Sequence, residues 1–406
     1  MISILKFFIP RIIMAGKTKA NLFLENLQKR AYLSIGRLPK QNIDFNSNIF
    51  YEILEKILKS KAPIIKKPEE LENLRAGLIE LMKSELENIE LPTKYENPIT
   101  YILISKLAKR IEESAEDLSI PIPSRPIIGT LPTGRVNAMA IAVPSSDEFI
   151  IVFESELFNF ALLLSKALTM SIPFKGTQEK KLTFSYDIAE VTKKIDANPE
   201  ILNRFRQVLF AYLLEGRPSA APPYILEEPY MNMAGILIDS MELFVMGHEY
   251  GHIINNHFLD KKTITSSLGN ENVNEIILDW KQEFEADAIG IKLMIHAMQK
   301  NGMDLSMSYW GADFFFSCHE IIERSISILH TGKEENIIID SHPPVHLRRQ
   351  NLRDILTSSL PEDVSRGLIK FVITTEQILE ILWEKTRPLI HKFYEENKQL
   401  APIWQK

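Results

Sequence analysis

The chain has 406 residues, 45% apolar and 25% charged, with a formal net charge of −6. That composition builds ordinary globular cores and excludes both a disordered chain and a small disulfide scaffold. The single cysteine, Cys318, cannot close an internal disulfide, which fits a reducing compartment, so the expected location is cytoplasmic.

Charge is unevenly spread. Residues 1–40 hold eight bases and one acid, a net of +7, which leaves −13 for the remainder. An acidic body argues against nucleic acid as a partner. The basic, apolar start, MISILKFFIPRIIMAGKTKA, can make peripheral contact with an anionic membrane surface, with Met14 as an alternative start. No apolar run reaches the roughly 18 uncharged residues of a membrane-spanning helix. The nearest, 157–173 and 231–247, are interrupted by Lys166 and by Asp239 and Glu242.

In chain order, the first 120 residues read as helical. Pro68 opens one helix, with acids in its first turn, and Pro98 another, with Ile104, Leu107, Ile111 and Leu118 on one side. Within 126–154 the runs RVNAMAIAV and EFIIVFE are β-prone, and Pro144-Ser145-Ser146-Asp147 between them suits a hairpin connection. Helices are expected at about 155–172, 197–215, 233–258, 273–300, 305–331 and 362–397, with a proline-rich loop at 218–229. The expected class is mostly α with a small β-hairpin or sheet, an α+β fold.

The chemistry concentrates in MELFVMGHEYGHIINNHF, which contains His248-Glu249-Tyr250-Gly251-His252. Four residues apart on a helix, both imidazoles can reach one ion, and Glu249 beside them can act as general base on a water. Downstream, in WKQEFEADAIGIKLM, Glu283 and Asp287 are again four apart. A catalytic zinc takes three protein ligands and keeps an open position, so two histidines and one carboxylate complete it. A second carboxylate one turn away can accept the free N–H of a ligand histidine. Ala286, Ala288, Ile289, Gly290 and Leu293 give that helix a small, apolar side suited to close packing, while Glu285 projects elsewhere and reads as a solvated acid. Tyr250 reads as core, as does Cys318 among aromatics. His257, His296, His319, His330, His346 and His391 lack a ligand pattern.

This arrangement resembles the gluzincin metallopeptidases of the M48 family, with its HtpX-like and CAAX-prenyl-protease branches. HEYGH at 248–252, EFEAD at 283–287 and SHPPVHLRR from Ser341 carry the resemblance, and VNAMAI at 136–141 is similar to the family's strand before the metal helix. The resemblance implies a zincin-like catalytic domain over 96–360, with an insert at about 173–230. A basic arm and helical extension precede it at 1–95, and a C-terminal helix follows at 361–406. It implies one Zn2+ per chain held by His248, His252 and Glu283, with Asp287 supporting a ligand histidine. Glu249 would be the catalytic base, with His342 and Arg348 as further catalytic residues; Arg348 could stabilise developing negative charge or pair with Asp287 or Glu249. The substrate would be a protein or peptide lying along the 135–154 hairpin edge. Two other classes compete: an inactive, zinc-stabilised regulatory or binding protein, and a metallohydrolase of a non-peptide amide. Unlike most M48 branches, the sequence shows no membrane spans.

Overall fold

The computed structural model describes residues 13–14, 18–36, 89–176, 182–185, 187–258, 273–334 and 343–404, with isolated positions between 69 and 80. The helix expected from Pro68 therefore lies largely outside the described residues. The fold is mostly helical with a small three-stranded mixed sheet. No helix among the described residues is long and apolar enough to cross a membrane. The chain divides into two compact units: Met1–Lys106 with Arg125–Thr133 and Ile141–Phe153, and Leu107–Ser124 with Gly134–Ala140 and Glu154–Lys406. Helices beyond residue 360 belong to the second unit.

In the first unit, helix α1 (Lys19–Ser34) starts at Thr18, whose hydroxyl accepts from the Asn21 amide in a capping box. Its inner face includes Gln28, which donates to the buried Glu96 at 2.8 Å, and Glu96 also accepts from the Thr130 amide at 2.9 Å. Burial still pushes the Glu96 carboxyl up to about 7, against the opposing pull of these hydrogen bonds.

The sheet comprises β1 (Ile127–Leu131), β2 (Ala138–Ala142) and β3 (Phe149–Glu154), in the order β1-β3-β2. Val143 N donates to Glu148 O, and Glu154 N to Asn137 O, both at 2.9 Å, so β2 and β3 form the expected hairpin. β3 is central, and its unbroken apolar run Ile150–Val152–Phe153 is fully buried, whereas β2 is a half-exposed edge. Strand β1, IIGTL, was not expected; Gly129 and Thr130 interrupt its apolar pattern.

Helix α2 (Pro98–Asp117) precedes the sheet. The second unit then contains α3 (Ser155–Ser171), a short ladder of β4 (Phe174–Gly176) with β5 (Leu182–Phe184), α4 (Ile188–Ala197) and α5 (Pro199–Glu215). There follow α6 (Tyr230–Ile254), α7 (Val273–Lys300), α8 (Leu305–Thr331), α9 (Val345–Ser359), α10 (Glu362–Glu384) and α11 (Arg387–Glu395). The single helix expected over 362–397 is two, because Pro388 cannot donate to the preceding turn and starts a new helix instead. Helix α9, following Pro343-Pro344, was not expected.

Helix α6 is buried all round from 240 to 251, a largely apolar stretch that takes Glu242, His248 and Glu249 into the interior with it. Two neighbours reach its backbone. A Cβ on Gly251 would lie 2.7 Å from the Ala286 carbonyl oxygen, one on Gly247 would lie 2.9 Å from that of Gly290, and one on Gly290 would lie 2.7 Å from His248 N. Small residues four apart on each helix thus let α6 and α7 run antiparallel in backbone contact. On another side, a Cβ on Gly311 of α8 would lie 2.2 Å from Met241 N.

This contact gives a direct comparison. Gly290→Ala is expected to destabilise by about 1–3 kcal/mol, because its new methyl meets backbone that cannot move aside. Gly235→Ala, in open space on α6, is expected to be neutral or to stabilise by up to about 1 kcal/mol. Urea unfolding measures both. A neutral Gly290→Ala would contradict the close packing.

Candidate metal centre

The α6–α7 contact brings the two halves of the sequence pattern together. His248 and His252, one turn apart on α6, face each other through their Nε2 atoms at 3.2 Å. Glu283 on α7 places Oε2 3.5 Å from His248 Nε2 and Oε1 3.4 Å from His252 Nε2. Tetrahedral ligands about 2.05 Å from zinc are separated by roughly 3.3 Å. The three donor groups therefore fit a single ion without rearrangement, and they form the one such cluster among the described residues. Their chemistry fits as well. Neutral imidazoles facing a carboxylate make a repulsive set of lone pairs unless a proton or a cation lies between them.

A second layer fixes the first. Asp287, with 0% exposure, sits 2.9 Å from His248 Nδ1, so the ring's proton is directed there and Nε2 is left as donor to an ion. Arg348, from α9, grips the same carboxylate with Nε at 2.8 Å and Nη2 at 2.7 Å, and Nη1 approaches Glu283 Oε2 at 3.2 Å. Burial alone would raise Asp287, but the Arg348 charge and the hydrogen bonds from Arg348 and His248 hold it below the usual carboxylate range. Burial lowers His248, but the hydrogen bond and charge of Asp287 outweigh it and hold the imidazole above its ordinary value. Three carboxylates, Glu249, Glu283 and Asp287, face one guanidinium, Arg348, so acidic side chains outnumber basic ones around the two ligand histidines. Such a surplus suits a cation.

Glu249 is 4% exposed, and its charge is felt by Arg348. Its neighbour Tyr250 points elsewhere, donating to Glu112 at 2.7 Å from a fully buried position. Arg348 is buried within the cluster rather than paired at the surface, and it is committed to Asp287 behind the histidine and to Glu283. His342 lies outside the described residues. Cys318 is buried, which pushes its thiol well up and leaves it a poor nucleophile.

Two residues outside the expected ligand set reach its edge. Glu285 is half-exposed, and its Oε2 lies 3.2 Å from His257 Nε2. His257, which has no ligand pattern in the sequence, is 6% exposed and places Nδ1 3.0 Å from His252 Nδ1. The signal for it lay in Asn255-Asn256, a pair that favours a turn at a helix end and so can return the following residue to the helix. Comparison of the chain with protein-family models, curated proteins and solved structures gives no match.

The geometry separates the two α7 carboxylates. Glu283→Ala leaves an ion two protein ligands and is expected to abolish binding at micromolar zinc. Asp287→Asn is expected to remain folded and to bind about 10- to 100-fold more weakly. Zinc titration against a chromophoric chelator measures both, with a thermal melt confirming the fold. The reverse order would contradict the assignment.

Proposed function

We propose that the chain is a zinc-dependent metalloendopeptidase with a zincin-like catalytic domain, similar to the M48 gluzincins. The observation that carries the reading is the tetrahedral spacing of His248, His252 and Glu283 donors beside a buried carboxylate, Glu249. Zinc bound there supplies a Lewis acid that polarises a carbonyl and lowers the pKa of a water.

The protein's own groups do the rest. Glu249 takes the proton of the attacking water and passes it to the leaving amine. Asp287 holds His248 in the tautomer that offers Nε2, and Arg348 anchors Asp287 and Glu283. Arg348 is therefore a positioning residue, and breaking so buried a pair typically costs about 3–5 kcal/mol. The substrate is a protein or peptide, and the compartment is the cytoplasm, where the buried Cys318 stays reduced. The +7 segment at 1–40 provides peripheral contact with anionic membranes.

Glu249 also weighs against a purely structural zinc site, which needs no buried carboxylate next to its ligands. Digestion of a denatured protein mixture, read by mass spectrometry of new N-termini, tests the proposal. Wild type is expected to cut, and Glu249→Gln to keep its zinc while losing about 10²- to 10⁴-fold in rate. Absence of cuts by zinc-loaded wild type, or equal cutting by Glu249→Gln, would contradict it.

A further inference from the structure

At the end of α6 the chain folds back on itself. Asn255 N donates to Gly251 O at 3.0 Å, Asn256 takes a left-handed backbone with φ 58°, and His257 N donates to His252 O at 3.1 Å. Asn tolerates that conformation better than other non-glycine residues. The turn lays the His257 ring against His252, centroids 5.1 Å apart and planes at 76°, with the two Nδ1 atoms facing each other.

Two facing ring nitrogens 3.0 Å apart can share only one proton. His252 Nε2 faces His248 Nε2 and Glu283, so when it serves as a donor to an ion its proton lies on Nδ1. That N–H donates to His257 Nδ1, which must then be bare. The His257 proton consequently lies on Nε2, where Glu285 Oε2 accepts it at 3.2 Å. Each donor in this chain meets an acceptor. In the opposite assignment His257 Nε2 would turn a lone pair toward a carboxylate oxygen, and His252 would present N–H to the donor cluster.

We infer that His257 and Glu285 form a positioning relay that fixes the tautomer and ring orientation of His252, the counterpart of Asp287 and Arg348 behind His248. The inference rests on the zinc reading of the site but not on peptidase activity. It gives each ligand histidine its own acceptor, drawn from a different element: α7 for His248, and the turn after α6 for His252.

The test is zinc affinity of the full-length chain, by competition with a chelator. His257→Phe keeps the ring's bulk but offers no acceptor, and is expected to bind zinc about 10- to 100-fold more weakly. His257→Asn places its side-chain oxygen where Nδ1 stands and is expected to recover most of that loss. A residue needed only for packing would give the reverse ranking, because Phe fills the space better. Glu285→Ala, at a half-exposed position, is expected to weaken binding in the same direction by less; it keeps the test open should His257→Phe fail to fold. Nitrogen-15 NMR of the zinc-loaded protein should find His252 protonated at Nδ1 and His257 at Nε2. Wild-type affinity in His257→Phe and Glu285→Ala, or the opposite tautomers, would overturn the relay while leaving the zinc site in place. Failure of wild type to bind zinc would overturn both. Zinc binding without peptide cleavage, with the expected ranking of variants, would support the relay and remove only the peptidase reading.

Discussion

Backbone contact between Gly247 and Gly251 of α6 and Ala286 and Gly290 of α7 decides how close the two halves of the metal cluster can come. Packed helices ordinarily lie about 8–10 Å apart, with side chains between them. Here no side chain fits at Gly247, Gly251 or Gly290, since an added Cβ at each would sit within 3 Å of backbone atoms. The residues flanking those positions inherit the spacing. His248 follows Gly247, His252 follows Gly251, and Asp287 follows Ala286, so the small residues alternate with the two histidines and the carboxylate behind His248 along the same seam. A methyl group there would separate the imidazoles from Glu283 by a large fraction of the 3.2–3.5 Å that makes the donors a single site.

Burial then makes the cluster costly unless it is compensated. Three carboxylates and one guanidinium below 10% exposure are expensive to desolvate, and each must be paired or neutralised. Arg348 and Asp287 satisfy one another through two short hydrogen bonds, and Glu283 shares the guanidinium. What remains is a surplus of negative charge around two imidazoles whose outward nitrogens are tied down, His248 by Asp287 and His252 by His257. This is the electrostatic and tautomeric state that a divalent ion needs.

Much of this was legible in the sequence. The apolar character of 233–258 indicated a buried helix, and the spacing of His248, His252, Glu283 and Asp287 indicated one side of each of two helices. The small residues around Ala286 and Gly290 indicated tight packing, though not which glycines they would meet. What escaped reading depended on partners far along the chain or on backbone conformation. β1 is a strand because it pairs with β3, not because IIGTL alternates. α9 begins straight after Pro344, a helix start that the sequence reading did not place, although its Arg348 pairs with Asp287, one of the two carboxylates expected as its partner. His257 shows no ligand spacing at all, and becomes part of the centre only because Asn256 turns left-handed.

The central claim is that one zinc ion is held by His248, His252 and Glu283. Anomalous diffraction across the zinc edge, from crystals of protein loaded with one equivalent, tests it most directly. The expected result is one strong peak bonded to Nε2 of both histidines and to the Glu283 carboxylate, with Asp287 and Arg348 outside bonding distance. A peak elsewhere, or ligation that omits Glu283 or either histidine, would contradict the account.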